Sequence, residues 1–345
     1  MKKRMMALAL TGILCAGMLA GCGGSSSSSA PADSGKAEQA ADSGDAAGDV
    51  HHIAVVVKLT DGHFNKVIAG AKAYDEEHDN VEVEILSPSS ATAYDEQQNM
   101  IETSLGNPAN QAVIISPQQS STATTLVKGT DKAIIALDTN FDAPEKSAFV
   151  GTGNKEAAMS GGAAAVEAAK AAGISAPTAV ILTGVQGDET HDARLEGYKE
   201  SVESAGGTVV EVQYCDGIAD KAANSMEGII QKYPDGVDIV LSTNDDMVMA
   251  AAKAVKDSGN ANYAKSILCG FDGNQSAIEA IQDGTISMDV AQLGYDMGYK
   301  SVDAAVTVLE GGSVEEFIDS GSAVVTSENV EEYVTDMKNK GLWTE

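Results

Sequence analysis

The chain has 345 residues, of which 43% are hydrophobic and 21% are charged, a composition typical of a globular protein. This length predicts two domains, each large enough to bury a hydrophobic core. Asp and Glu number 51 against 22 Lys and Arg, so the formal net charge is -29 at pH 7. Such an acidic surface repels nucleic acid and anionic membrane, and we expect no nucleic-acid partner.

Residues 1–21 have the pattern of a bacterial export signal. A basic start, Lys2 to Arg4, precedes an apolar stretch that is too short to span a membrane. The stretch ends in Leu-Ala-Gly-Cys at Cys22, which resembles a lipobox and implies cleavage before Cys22 and its lipidation. Residues 22–51 are mostly Ser, Ala, Gly and Asp and predict a flexible tether. We therefore expect an exported protein that a lipid anchor holds at the outer face of the cell membrane.

After the tether, short apolar runs alternate with amphipathic stretches. The runs predict strands at 53–57, 81–85, 112–115, 133–137, 148–150, 179–182, 209–212, 239–241, 267–269 and 285–291. The stretches predict helices that begin at Phe64 and Met247, a short one that ends at Lys128, one around 226–230, and others at 94–105, 156–172, 192–205, 276–282 and 295–309. Strands separated by such helices form parallel sheets through right-handed crossovers.

The pattern restarts near Gly153, and the strands are too many for one open sheet. The predicted fold class is therefore α/β, with two doubly wound parallel-sheet lobes that face each other across a ligand cleft. Ligands bind past the carboxyl ends of parallel strands. The strand that ends at Ser242 is followed there by Asn244, Asp245 and Asp246. We expect Asn244 to face the ligand and the two aspartates to act as charges at the helix N-terminus.

Six short motifs occur in a characteristic order along residues 52–325. They are Asp61-Gly62-His63-Phe64, Leu137-Asp138, Arg194-Leu195-Glu196-Gly197-Tyr198, Thr243-Asn244-Asp245-Asp246-Met247, Gly270-Phe271-Asp272-Gly273 and Val290-Ala291-Gln292-Leu293. Together with the lipobox, this order resembles the ribose/galactose-type periplasmic sugar-binding proteins, the substrate-binding components of ABC importers.

The resemblance implies a three-segment hinge with crossovers near Thr152, Gln292 and Ala323. It places residues 52–152 and 293–322 in the N-terminal lobe, and residues 153–292 and 323–345 in the C-terminal lobe. It also implies a monomer that captures a monosaccharide or similar polyol and delivers it to the transmembrane subunits of a permease. A nucleoside-binding lipoprotein, or a ligand sensor for a membrane kinase, is the alternative function.

The resemblance also implies the ligand contacts. Phe64 would stack on the apolar face of a sugar, although a residue at a helix start can equally belong to the core. Carboxylate and amide groups would bond hydroxyls at four positions, where the alternative is a loop or capping role. These four are Asp138, Asn244, Asp272 and Gln292.

Several positions depart from the family pattern. Gly62 stands where relatives carry a polar ligand residue, and Asp61 is expected to substitute. Either Arg194 contacts the sugar, or Asp192 occupies the place of the sugar-binding arginine and Arg194 is structural. Lys58 is expected to pair with Asp192 or to meet an acidic ligand. The C-terminal lobe lacks a stacking aromatic near Gly217.

Other chemistries find little support in the sequence. No Gly-x-Ser-x-Gly nucleophile elbow is present, and Gly151-Thr152-Gly153-Asn154 lacks the third glycine of a dinucleotide site. We therefore expect neither an enzyme nor a cofactor. No calcium loop or zinc spacing is present, so we expect no metal. Cys215 and Cys269 are either buried thiols or one disulfide.

Overall fold

The computed structural model describes residues 50–60, 62–90 and 92–344. Its strands are β1 His51–Val56, β2 Val81–Leu86, β3 Ala112–Ile115, β4 Ala133–Leu137, β5 Lys146–Gly151, β6 Thr178–Thr183, β7 Thr208–Tyr214, β8 Ile239–Ser242, β9 Ile267–Asp272, β10 Met288–Gln292, β11 Phe317–Asp319 and β12 Ser322–Thr326. Its α-helices are α1 Gly62–Glu77, α2 Tyr94–Gly106, α3 Ser120–Leu126, α4 Asn154–Ala171, α5 Glu189–Ser204, α6 Ala219–Lys232, α7 Asp245–Ser258, α8 Gln275–Gln282, α9 Gly294–Leu309 and α10 Val330–Asn339.

The strands form two sheets, and the predicted fold of two doubly wound lobes is confirmed. One sheet has the order β11-β5-β4-β3-β1-β2, and the other has the order β12-β10-β9-β8-β6-β7. We call the first the N-lobe sheet and the second the C-lobe sheet. Within the described part of the chain, all strand pairs are parallel except β10 with β12, so the C-lobe sheet carries one antiparallel strand at its edge. The strands β11 and β12 and the helix α10 were not predicted.

Each sheet is buried on both faces, as its short apolar strands predicted. Along β1, Val55 belongs to the core on one face and Val56 to the core on the other. Along β8, Val240 and Leu241 divide between two cores in the same way. Because successive side chains of a strand point to opposite faces, a continuous apolar run supplies both cores at once.

Three crossovers connect the two sheets. The chain passes from β5 to α4 through Thr152, from β10 to α9 through Leu293, and from β11 to β12 through Ser320 and Gly321. The third crossover thus lies just before β12, which already contains Ala323. Backbone hydrogen bonds join these segments, since Ser320 N donates to Gly151 O at 2.7 Å and Leu293 N donates to Gly321 O at 3.3 Å. The three segments therefore form one hydrogen-bonded hinge.

In the N-lobe, α1 and α9 pack so closely that their backbones touch. A Cβ atom at Gly70 would lie 1.8 Å from the carbonyl oxygen of Tyr295. A Cβ atom at Gly298 would lie 1.9 Å from the carbonyl oxygen of Val67. Only glycine fits at these two positions, and the two helices behave as one packed unit.

Several sequence predictions can be placed against these bounds. Cys22, the predicted lipidation site, and Asp61, a predicted ligand residue, lie outside the described residues. The first strand begins at His51, which had been assigned to the tether. Cys215 and Cys269 are both buried and free, so they are thiols and not a disulfide. Within residues 50–60, 62–90 and 92–344, no helix has the length and apolar character needed to cross a bilayer.

Candidate ligand-binding site

A cavity of about 550 Å³ opens between the lobes beside the hinge. Its walls come from loops at the carboxyl ends of N-lobe strands, from the β5–α4 crossover and from the start of α5. Lining residues include Asp138, Thr139, Asn140, Asn154, Asp188 and Thr190. Small-molecule sites typically measure roughly 300–1,000 Å³. This cavity is therefore large enough for a small polar ligand.

Asp138 is the centre of the N-lobe side of the cleft. It follows β4 with a φ of 61°, a left-handed conformation that aspartate tolerates better than most residues. Its Oδ1 lies 2.8 Å from Nε2 of His63, and its Oδ2 lies 3.9 Å from Nζ of Lys58. Burial alone raises the pKa of Asp138, but His63 and Lys58 outweigh it and hold the pKa well below its ordinary value. The group is a carboxylate acceptor at neutral pH.

Lys58 is held inside the N-lobe, contrary to the predicted pairing with Asp192. Its Nζ donates to Oγ1 of Thr139 at 2.5 Å, beside the Asp138 carboxylate. Asp192 instead accepts from the backbone N–H of Gly187 at 3.1 Å, within the first turn of α5. The prediction was wrong because a carboxylate of its own lobe lies nearer to Lys58. The suggested contact of Lys58 with an acidic ligand stays a prediction.

The C-lobe side of the cleft is organised around Arg194. Its side chain is only 6% exposed, and Nη1 forms an ion pair with Oδ1 of Asp272 at 3.1 Å. Nη1 also donates to Thr243 O, and Nε donates to Oδ1 of Asn154, both at 2.8 Å. The guanidinium lies 3.7 Å from the centre of the Phe271 ring. These contacts give Arg194 a structural role. A ligand contact of Arg194, or of Asp192 in its place, stays a prediction.

Asp272 connects Arg194 to the hinge through Gln292. Nε2 of Gln292 donates to Oδ1 of Asp272 at 2.8 Å, and Oε1 of Gln292 accepts from Oγ1 of Thr152 at 2.9 Å. The same Thr152 hydroxyl lies 3.3 Å from the hydroxyl of Ser320. Both bonds that Asp272 accepts from described residues end on Oδ1. Its Oδ2 accepts no hydrogen bond from the described residues, and ligand contacts of Asp272 and Gln292 stay predictions.

Asn244 is the N-cap of α7. Its Oδ1 accepts from the backbone N–H of Met247 at 3.0 Å, and its Nδ2 donates to Gly217 O at 3.0 Å. The capping role foreseen as an alternative is thus present, and a ligand contact stays a prediction.

The two aspartates after Asn244 differ in exposure. Asp246 is exposed in the first turn, as expected of a helix N-terminal charge, whereas Asp245 is only 1% exposed. Burial and the neighbouring Asp289 raise the pKa of Asp245 well above its ordinary value, so Asp245 is not such a charge.

Phe64 lies in the N-lobe core and is 3% exposed. Its ring meets the ring of His63 edge-on, with 5.1 Å between the ring centres. This is the core position foreseen as the alternative for an aromatic residue at a helix start. Stacking of Phe64 on a ligand stays a prediction.

Two histidines of the site were not among the predicted ligand contacts. His63 bonds Asp138, and Nδ1 of His191 lies 2.8 Å from Oγ1 of Thr243 in the C-lobe. Burial, together with the charge of Arg194, lowers the pKa of His191, so its imidazole is neutral at pH 7. His63 lies directly before Phe64, and His191 lies directly before Asp192, which were both predicted ligand residues. A histidine beside a predicted ligand carboxylate was the available signal.

Comparison with known proteins identifies the family. Residues 53–313 match the family model described as a periplasmic binding protein domain. The chain belongs to this family. Among its relatives is the ribose import binding protein RbsB of Salmonella typhimurium. The two chains are 29% identical over 206 residues, which make up 59% of this chain and 67% of that protein. The D-ribose/D-allose-binding protein of Pseudomonas aeruginosa is 25% identical over 274 residues, 76% and 83% of the two chains.

Solved structures of periplasmic binding proteins share this fold. A periplasmic ribose ABC transporter protein from Conexibacter woesei superposes with a TM-score of 0.73 at 20% identity, covering 83% of this chain and 95% of that one. A carbohydrate transporter solute binding protein from Agrobacterium radiobacter, in complex with D-arabinose, gives a TM-score of 0.69 at 25% identity, covering 83% and 98%. The two lobes and their hinge are therefore those of a periplasmic binding protein.

Proposed function

We propose that this protein is the lipid-anchored, extracytoplasmic substrate-binding protein of an ABC importer. It captures a monosaccharide or similar polyol in the cleft and delivers it to the permease. The relatives named for ribose, allose and arabinose support the sugar class. The sequence around Cys22 supports the anchor.

The observation that carries the proposal is that each lobe has a partly exposed carboxylate at the carboxyl end of a strand, and that Asp138 lines the interlobe cavity. Asp138 follows an N-lobe strand and Asp272 ends a C-lobe strand, and their side chains remain 17% and 20% exposed. Carboxylates accept hydrogen bonds but donate none when ionised, so they suit the hydroxyl groups of a sugar. A ligand that bonds both groups must touch both lobes, and it favours their closure about the hinge.

Isothermal titration calorimetry tests the proposal. The full chain is titrated with D-ribose, D-allose, D-arabinose, a set of polyols and a set of nucleosides. We expect heat of binding from at least one sugar or polyol. Binding of a nucleoside without any sugar response would favour the nucleoside-binding alternative and contradict the proposal.

Two isosteric variants then test the site, with the sugar or polyol that the calorimetry identifies as the ligand. Asp138→Asn and Asp272→Asn each replace a charged acceptor by a neutral amide. Hydrogen bonds to charged groups contribute about 1.5–3 kcal/mol, so each variant should bind roughly 10- to 150-fold more weakly. Asp246→Asn, an exposed carboxylate in α7, is the matched control and should bind like the wild type. Unchanged affinity in both cleft variants would show that the site is wrongly placed.

A further inference from the structure

One lysine of the N-lobe is buried against the C-lobe. Lys66 lies in α1 and is only 7% exposed. Its Nζ donates to the carbonyl oxygen of Gly273 at 2.5 Å. Gly273 follows β9 in the other lobe. This bond therefore joins the two lobes, and it places a buried positive charge of the N-lobe beside the end of a C-lobe strand.

Two buried aspartates lie at the same end of the C-lobe sheet. Asp245 begins α7 and is 1% exposed, and Asp289 lies in β10 and is 0% exposed. A Cβ atom at Gly270 would lie 2.6 Å from Oδ1 of Asp245 and 2.4 Å from Oδ2 of Asp289. Both carboxyl groups therefore converge on one glycine. We call Asp245 and Asp289 the carboxyl pair.

The carboxyl pair has few hydrogen-bond donors. Oδ2 of Asp245 accepts from the backbone N–H of Asn274 at 2.7 Å. Oδ1 of Asp245 and both oxygens of Asp289 have no well-formed hydrogen bond to any described residue. The groups that could donate a hydrogen bond to Asp289 or share a proton with it are the Asp245 carboxyl and the backbone N–H of Gly273. Two adjacent buried carboxyls without further donors cannot both be ionised, so they share at least one proton.

The charges around the carboxyl pair have opposing effects. Burial raises the pKa of both members, and the carboxylate of Asp272 raises both further. The positive charge of Lys66 lowers the pKa of Asp289. The other titratable groups that face the pair are Cys269 in β9, Tyr198 in α5 and Tyr333 in α10. Burial raises the pKa of all three, so they stay neutral at pH 7.

Gly273 links the lysine to the carboxyl pair. Its carbonyl oxygen accepts from Lys66, and its N–H faces Asp289. Lys66 belongs to the N-lobe, whereas Gly273 and the carboxyl pair belong to the C-lobe. We propose that closure of the cleft is coupled to release of one proton from the carboxyl pair, because closure brings the Lys66 ammonium to it.

The sign of the coupling follows from the position of the lysine. In the open form the carboxyl pair lacks the nearby positive charge and keeps its second proton to a higher pH. In the closed form Lys66 favours ionisation of Asp289, so the proton leaves at a lower pH. Between these two values, which lie above the ordinary carboxyl range near about pH 4, rising pH favours the closed form. The coupling requires no ligand and holds for any occupant of the cleft.

The experiment measures the distance between the lobes in the protein without ligand. Spin labels are placed at two exposed helix positions, Asn99 in the N-lobe and Asn224 in the C-lobe. Pulsed dipolar spectroscopy then gives the ratio of closed to open molecules from pH 4.5 to pH 8. One released proton should raise this ratio by up to about tenfold per pH unit within the window.

Three variants decide what causes the response. Lys66→Met keeps the size of the side chain but removes its charge, and Asp289→Asn is isosteric; both should abolish the pH response. Lys72→Met removes an exposed charge from the same helix and should leave the response intact. Circular dichroism checks that each variant is folded. A wild-type ratio that is independent of pH, or an unchanged response in Lys66→Met, would overturn the proposal. Because no ligand is added, these outcomes stand apart from the calorimetry of sugar binding.

Discussion

In the N-lobe half of the site, Asp138 is held by His63 and Lys58, and all three residues belong to that lobe. In the C-lobe half, Asp272 is held by Arg194 and by Gln292, which in turn bonds Thr152. The first carboxylate is therefore held by side chains of its own lobe, which include the Thr139 hydroxyl that donates to its Oδ2. The second is part of a chain of hydrogen bonds that ends in the hinge.

This difference suggests a division of tasks between the halves. The N-lobe half can be complete whether the cleft is open or closed, since the side-chain contacts of Asp138 among the described residues all lie within its own lobe. The C-lobe half should change when the crossover segments move, because Thr152 lies in one of them and Gln292 directly precedes another. Substitutions in the N-lobe half should alter ligand affinity, and those in the C-lobe half should alter both affinity and closure.

The largest expected effect comes from removing the cation that pairs with the carboxylate in each half and comparing the losses of unfolding free energy. Arg194→Ala leaves Asp272 without its cation and removes the donor to Thr243 O. Removing one partner of a buried ion pair costs about 3–5 kcal/mol, and urea unfolding measures the loss. Lys58→Ala is the matched comparison, because the Lys58 side chain is 30% exposed and its ion pair is 3.9 Å long. It should cost about 1 kcal/mol or less. Equal losses in the two variants would remove the distinction between the halves.

The next effect is the loss, at acid pH, of the folding stability that the partners of Asp138 cause. The folded-state pKa of Asp138 is depressed, so the stabilisation from its partners is complete above pH of about 4 and is lost as the pH falls below that value. The difference in unfolding free energy between wild type and Asp138→Asn should shrink from pH 5 to pH 3. For one group the slope is at most about 1.4 kcal/mol per pH unit. Urea unfolding at several pH values measures it, and a difference that grows on acidification would contradict the assignment.

The smallest expected effect lies at the hinge. Thr152→Val preserves the shape of the side chain but removes the hydroxyl that donates to Gln292. Thr152 is 4% exposed, so the loss should be about 1 kcal/mol in unfolding free energy. Thr139→Val removes a hydroxyl from the less buried N-lobe half and should cost less. If Thr139→Val proved the more costly, the hinge would not be the stiffer part of the network.

The sequence predicts the frame of the molecule because each strand is a short apolar run. The run before Asn244 is an example: three apolar residues and Ser242, all buried, form β8, and polar residues follow at the carboxyl end of the strand. The helix α10 carries Val330, Val334 and Met337 at helical spacing and was predictable in the same way. The strands β11 and β12 were harder to foresee, since they are short and are not continuous buried apolar runs: no residue of β11 is buried, and Val325 is the only buried residue of β12.

The internal pairing of the site could not be predicted, because it depends on distances between segments. Asp245 has the sequence context of a helix N-terminal charge, yet Asp289, forty-four positions later, makes it part of a buried pair. In the same way, the sequence allows Arg194 two roles. Only the fold shows that Asn154, Thr243 and Asp272 surround its guanidinium.

The contact between the backbones of α1 and α9 has a mechanical consequence. Helix α9 begins directly after the crossover at Leu293, and Gly70 and Gly298 leave no gap between the two helices. We therefore expect a rotation of the backbone at this crossover to move α9 and α1 together, as one rigid body that turns about the hinge. His63 and Lys66 lie near the N-terminal end of α1. A small rotation at the hinge should therefore displace both side chains at once: His63, which contacts Asp138, and Lys66, which contacts Gly273 in the opposite lobe.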